Sequence, residues 1–278
     1  MKPLPPASVV ICSYEDASIL EKSLAAFARQ SFQDFEIVIA DDGSKTDYAP
    51  ILKSWAHRFR HGIQHVTHEK QGFRRARILN RGIHVSRFDR IIFLDMDCLP
   101  HRDFVRHHTS YLSPGTVITG RRVNLRAEEI PSAEKILSNG LGLSIFRLIR
   151  LRMRGRARVI EHGFVSPILY ESSYKAIMGS NFSVCRSDLV AVNGFNEEFV
   201  GWGGEDDDLD QRLRFSGAHV RNLRNKVVQY HLVHPRRAFQ NEPNRALLER
   251  TRRERTIRAP VGLAEIRERD SVLRRYGS

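Results

Sequence analysis

The sequence predicts an α/β protein whose amino-terminal half is a parallel sheet assembled from βαβ units. Two observations carry that prediction. Over the first hundred residues, short β-branched runs alternate with stretches at helical spacing, the pattern of strands joined by crossover helices. In addition, two of the apolar runs end abruptly in acid, Asp41-Asp42 and Asp95-Met96-Asp97, which places carboxylates at the strand ends where open α/β folds bind ligands.

Each element has its own justification. Residues 8–13 (SVVICS) read as a buried strand, and residues 17–30 follow with Leu20, Leu24, Phe27 and Ala28 at helical spacing. Residues 35–41 (FEIVIAD) form the next strand, whose end continues into Gly43 and Ser44 as a polar turn. A helix is expected over 48–59 and a weaker strand over 62–67. The stretch 73–85 sets Ala76, Leu79 and Ile83 on one helix face, with Arg74, Arg75, Arg77 and Arg81 around it. Residues 90–94 (RIIFL) drive a central strand into Asp95. The second half is less regular. It offers a strand at 116–120, a helix beginning at Glu205 and supported by Leu209, Leu213 and Gly217, and a last strand at 227–231. Beyond Pro235 the chain is polar and Arg-rich, with two short helical patterns split near Pro260.

Composition narrows the function. The 278 residues hold 45 Lys or Arg against 32 Asp or Glu, a formal charge of +13. That balance suits an anionic partner such as nucleic acid, a nucleotide or an anionic membrane face. Cys12, Cys98 and Cys185 are odd in number and widely spaced, so neither a disulfide framework nor a cysteine zinc cluster is indicated, and a reducing cytoplasm fits. The opening residues do not read as a signal peptide, and no apolar run approaches the roughly 18 residues of a membrane span. No zinc-finger spacing, RNP aromatic motif or helix-turn-helix supports nucleic-acid binding. No G-x-x-x-x-G-K or G-x-G-x-x-G loop is present, so phosphate, if bound, must be met by metal and Arg.

The acidic and histidine positions carry the chemistry. Asp95 and Asp97, one residue apart at a strand end, repel one another unless a cation shares them, although a solvated turn explains an isolated Asp-x-Asp equally well. The run Trp202-Gly203-Gly204-Glu205-Asp206-Asp207-Asp208 is more specific. Four acids suit the start of a helix, and for Asp207 and Asp208 that accounts for most of their presence. A Trp before two glycines adds a flat platform for a sugar ring beside carboxylates, one of which can serve as general base on a hydroxyl. His231 and His234, three apart at a strand end, are good transition-metal ligands as neutral imidazoles, though with twelve His in the chain a close pair alone means little.

These motifs, in this order, resemble the inverting GT-A glycosyltransferases of family 2, and more narrowly the branch whose carboxyl half looks like that of the β-1,4-galactosyltransferases. SVVICSYED, QSFQDFEIVIADDGS and RIIFLDMDCLP resemble the family opening. NGFNEEFVGWGGEDDDLDQRL, YHLVHP and Asn241-Glu242-Pro243-Asn244 resemble the galactosyltransferase half. The resemblance spans residues 7 to 245. It implies a GT-A fold, with a Rossmann-like nucleotide-binding half over 1–118, a mixed-sheet acceptor and catalytic half over 119–235, and a basic helical tail over 236–278. It assigns Asp42, Tyr14 and Ser13 to the uracil pocket of a UDP-sugar, Asp95 to the ribose or a metal water, and Asp97, His231 and His234 to a divalent metal, Mn²⁺ or Mg²⁺. Asp206 becomes the catalytic base, Glu205 its neighbour on substrate hydroxyls, and Trp202 a stacking platform. At His231 the vertebrate galactosyltransferases have methionine, which leaves the choice between Mn²⁺ and Mg²⁺ open. Arg74, Arg75 and Arg77 correspond loosely to a basic residue near the diphosphate. The implied acceptor is a glycan or a lipid-linked hydroxyl.

Three rival readings accompany this one. A basic nucleic-acid-binding protein is disfavoured by the lack of a recognisable reading module, a retaining GT-A enzyme by an acid at 206, and a catalytically dead sugar binder because every metal and base position is filled. Six arginines between Arg147 and Arg158, interleaved with Leu and Ile, read either as an ordinary solvated segment or as a contact with anionic lipid at the inner membrane face. The expected location is cytoplasmic, and the second of these readings adds peripheral attachment to that face.

Overall fold

A computed structural model describes residues 3–125, 176–223, 226–232 and 241–277. The arginine-rich segment 147–158 and His234 lie outside the described residues.

The first five strands are β1 (Ala7–Ser13), β2 (Phe35–Asp41), β3 (Ile63–Thr67), β4 (Arg90–Asp95) and the short β5 (Cys98–Pro100). They alternate with α1 (Ala17–Phe27), α2 (Ala49–Ala56) and α3 (Arg75–Val85). Then come α4 (Phe104–Tyr111), β6 (Thr116–Thr119), β7 (Arg122–Leu125), β8 (Asn181–Cys185) and α5 (Arg186–Ala191). The chain continues with α6 (Glu205–Phe215), β9 (His219–Asn222), β10 (Gln229–Leu232), α7 (Glu242–Glu254) and β11 (Val272–Tyr276).

Eight strands form one sheet in the order β11-β3-β2-β1-β4-β8-β6-β9, and β5-β10-β7 form a second. The pairs β1–β2, β1–β4 and β2–β3 are parallel, as the βαβ pattern requires, whereas β8 enters antiparallel to β4. The large sheet is covered on both faces, so alternate residues of one strand serve different cores. Val9 and Ile11 pack with Leu20, Leu24 and Phe27 of α1, while Val10 packs with Leu79 and Ile83 of α3 and with Phe93 and Phe182. Helix α1 starts where Asp16 accepts from the Ile19 amide at 3.0 Å, an N-cap.

The expected elements are present with ends shifted by a few residues. The tail differs from a purely helical expectation: after α7 and two single 3-10 turns at Leu263–Glu265 and Glu268–Asp270 comes β11, which pairs antiparallel with β3 from Val272↔Thr67 to Tyr276↔Ile63. β-Branched Val272 with Leu273 and Tyr276 suits this exposed edge, and the strand caps the open side of β3. The large sheet takes strands from both sides of residue 118. Among the described residues no helix is long and apolar enough to cross a membrane.

Candidate active site

The parallel strands β1, β2 and β4 end side by side, and register delivers their last residues to one edge: Ser13 faces Asp41, and Cys12 faces Asp95. Three groups of side chains are built there.

The first surrounds Asp42, which is buried and held by three donors. His68 Nε2 lies 2.8 Å from Oδ1, Lys70 Nζ donates to Oδ2 at 2.6 Å, and the Arg74 amide donates at 3.2 Å. Burial opposes its charge, yet the hydrogen bonds from His68, Lys70 and Arg74 outweigh it and hold the carboxyl below the usual aspartate range. Lys70 also sits 3.7 Å over the ring of half-exposed Tyr14. Neighbouring Asp41 accepts from Ser44 Oγ at 2.5 Å and lies 3.2 Å from His65 Nε2, so it shapes the turn. The hydroxyl of Ser13 is buried and accepts or donates no hydrogen bond among the described residues.

The second group centres on Arg75, at the start of α3 and only 7% exposed. Its NH1 donates to Asp206 Oδ1 at 2.7 Å and more weakly to Glu205 Oε1 at 3.4 Å; NH2 donates to Asp95 Oδ1 at 3.0 Å and to the Gly179 carbonyl at 2.9 Å. One guanidinium thus joins Asp95 to carboxylates of α6 more than 100 residues later in the sequence, and Arg75 itself lies 130 residues before Glu205. One cation is too few for three acids. Burial pushes Glu205 up to about 7, with Asp206 adding to the shift and Arg75 opposing it. Asp206 is raised too, by burial against the pull of Arg75. Glu205 Oε2 is buried without a hydrogen-bond partner among the described residues.

Two glycine-bearing segments make this arrangement possible. A Cβ at Gly179 would stand 1.7 Å from Asp206 Oδ2, so only glycine leaves room for that carboxylate. Gly204, with φ of +93°, turns the chain into α6 so that Glu205 and Asp206 open the helix facing Arg75. The Asn241–Asn244 motif fixes that turn: Asn241 Nδ2 donates to the Val200 carbonyl at 2.9 Å, and Asn244 Nδ2 to the Gly203 carbonyl at 2.7 Å. Trp202 stands on the turn, 47% exposed. Asp208 belongs to the scaffold instead, bonded to Arg212 Nε at 2.7 Å and Thr251 Oγ1 at 2.7 Å.

The third group is set by the small sheet. β5 runs antiparallel to β10 with Cys98 opposite His231, which brings His231 Nε2 to 3.3 Å from Asp97 Oδ2. Ligand atoms of Asp97, Cys98 and His231 lie within 4.8 Å of one another. A carboxylate and an imidazole at this separation fit a divalent ion such as Mn²⁺. Cys98 fits less well: burial, then Asp97 and Asp95, push its thiol well above the ordinary range, and it donates to Asp97 Oδ1 at 3.3 Å. His234 is not described.

Sequence reasoning thus named most of these side chains and missed the connections. Arg75 entered only as one of three arginines near a diphosphate, Gly179 carried no assignment to Asp206, and Cys98, His68 and Lys70 carried no role. The available signal was the arginine run opening a helix whose other face is apolar.

Comparison with known proteins matches the chain to two family models in succession. Residues 8–170 match the model of glycosyl transferase family 2, and residues 161–235 match a model described as the N-terminal domain of galactosyltransferase. Validoxylamine A glucosyltransferase of Streptomyces hygroscopicus subsp. jinggangensis is 29% identical over 230 residues, which are 77% of this chain and 52% of the relative. The chain therefore spans about half the length of that curated relative. Among solved structures, S. aureus TarS 1–349 in complex with UDP-GlcNAc superposes with a TM-score of 0.62 at 14% identity, covering 93% of this chain and 68% of that one. GalNAc-T7 with UDP, GalNAc and Mn²⁺ gives 0.62 at 12% identity, covering 90% of this chain and 48% of that one. At such identities the likeness is one of fold, and the fold is GT-A.

Proposed function

Since the chain belongs to glycosyl transferase family 2, we propose that it moves a hexose or N-acetylhexosamine from a UDP-sugar to a hydroxyl of a glycan or lipid-linked acceptor, with inversion. The observation that carries this reading is the Arg75 cluster, in which the acid of the nucleotide half, Asp95, and the acids of the carboxyl half, Glu205 and Asp206, share one cation.

Asp206 acts as the base. A carboxyl raised by burial accepts a proton more readily than an ordinary aspartate, and Arg75 holds it in one orientation. The acceptor oxygen attacks the anomeric carbon from the face opposite the diphosphate as Asp206 takes its proton. A glycosidic C–O bond forms, the anomeric C–O bond to phosphate breaks, and UDP leaves. Glu205 lies beside the base, and its Oε2, without a partner among the described residues, accepts from a substrate hydroxyl in this reading. Trp202 offers its face to a sugar ring. Asp42, with Ser13 and Tyr14, receives the uracil, and Asp95 the ribose side.

Asp97 and His231, together with His234, would hold Mn²⁺ or Mg²⁺, which supplies the Lewis acid that neutralises a departing diphosphate. The GalNAc-T7 structure with UDP and Mn²⁺ supports that choice.

The test is release of UDP from a panel of UDP-sugars with Mn²⁺, with Mg²⁺ and with EDTA, followed by NMR of the anomeric proton of the product. Metal-dependent turnover of at least one UDP-hexose or UDP-N-acetylhexosamine with inverted configuration is expected. A retained anomer, or full activity in EDTA, contradicts the proposal.

A further inference from the structure

We propose that a second anion site, separate from the donor pocket, lies between the end of β3 and the carboxyl-terminal strand β11, and that it takes a multiply charged anion of the phosphate class. The cleft there has a volume of about 680 Å³ and is lined by Thr67, His68, Lys70, Arg77, Arg269 and Arg274, among others. None of Asp95, Asp97, Glu205, Asp206 or His231 lines it.

Helix geometry separates the two sites. Two residues along an α-helix turn the side chain by about 200°, so Arg77 faces away from the direction in which Arg75 meets Asp206. Arg77 instead joins Arg269 and Arg274, which the β11 region brings alongside β3.

Basic side chains outnumber acidic ones in this cleft. Among the described residues Arg77, Arg269 and Arg274 form no ion pair, and the Nε of Arg77 is buried with no acceptor. His68 is buried, its Nε2 is held by Asp42, and its Nδ1 has no partner among the described residues. Two carboxylates also line the cleft, Glu69 and Asp270, and Asp270 points to Arg81 at 3.7 Å. Three guanidiniums with no ion-pair partner among the described residues, gathered around one concavity, repel each other, and a phosphate-class anion with several oxygens is the ligand that planar guanidinium donors match. Lys70 lines the cleft while its ammonium pairs with Asp42, so the two sites share a wall.

The inference does not rest on the glycosyl-transfer reading, and its test avoids catalysis. Inorganic tripolyphosphate is titrated calorimetrically into the full chain in EDTA, for wild type and for the double variant Arg269→Ala/Arg274→Ala, with flotation on phosphatidylglycerol and phosphatidylcholine vesicles in parallel. Both arginines are exposed and form no ion pair among the described residues, so the variant keeps its Tm. Affinity for tripolyphosphate about ten-fold weaker or worse in the variant is the expected result. Loss confined to the soluble anion identifies a free phosphate compound. Additional loss of binding to phosphatidylglycerol vesicles identifies a lipid headgroup. Equal affinity of the two proteins for both probes, or no binding of either probe by wild type, overturns the proposal.

Discussion

Asp42 and the Glu205–Asp206 pair stand on the same edge of the sheet, and their protonation is driven in opposite directions. Asp42 has three donors to itself and is held low, whereas Glu205 and Asp206 divide one guanidinium with Asp95 and are raised, Glu205 to about 7. Burial is the leading opposing influence at Asp42 and the leading cause at the other two. What differs is the number of cationic and amide donors per carboxylate. A carboxylate with its own donors keeps a constant charge and is suited to recognising a uracil N–H. A carboxylate short of donors keeps an affinity for protons and is suited to moving one.

Breaking the proton-handling side has the largest expected effect. Asp206→Asn retains shape and its contact with Arg75 through the amide oxygen, so UDP binding should persist while turnover falls by about 10³-fold; calorimetry with UDP and a UDP-release assay report the two quantities. Gly179→Ala inserts a methyl into the space of Asp206 Oδ2. Because a base displaced by about 1 Å is enough to cost about 10²-fold in rate, kcat should drop by that order with UDP affinity unchanged.

On the recognition side the loss is smaller and falls on a different constant. Lys70→Ala removes one of the three donors to Asp42 and the cation over Tyr14. KM for the UDP-sugar should rise about ten-fold with kcat nearly constant, which steady-state kinetics separates.

The smallest effect concerns stability. Glu205 is raised to about 7 in the folded protein from 4.5, so the folded state binds the proton more tightly than the unfolded one. Keeping that carboxyl charged costs stability, and the cost is absent below pH 4.5, grows through the interval and is complete above about 7. Glu205→Gln should therefore raise Tm at pH 8 by roughly 2–4 °C, for about 1 kcal/mol relieved, and leave it unchanged at pH 4.5. Calorimetric scans at the two pH values check this sign.

The amino-terminal fold was legible because each of its elements has a local signature. Val9, Ile11 and Val10 must alternate between two cores, and Leu20, Leu24 and Phe27 must share a helix face, whatever else the chain does. The carboxyl-terminal strand was not legible: VLRRY has a helical competitor in its Arg-rich surroundings, and only pairing with β3, more than 200 residues earlier in the chain, decides for a strand. The site shows the same division. Asp95, Asp97, Glu205, Asp206 and His231 could be named from residue type and order. The Arg75 clamp, the space left by Gly179 and the hold of Asn241 and Asn244 on the Trp202 turn depend on contacts that sequence spacing does not encode.

The central claim, that the carboxyl-terminal acids handle protons because they are short of donors, is tested most directly by the pH dependence of kcat/KM at saturating metal, with UDP binding followed alongside to separate loss of donor or metal. The acid limb should have its midpoint above the ordinary aspartate range and disappear into the residual rate in Asp206→Asn. A wild-type profile that stays flat down to about pH 4, the value of an unperturbed aspartate, contradicts the account.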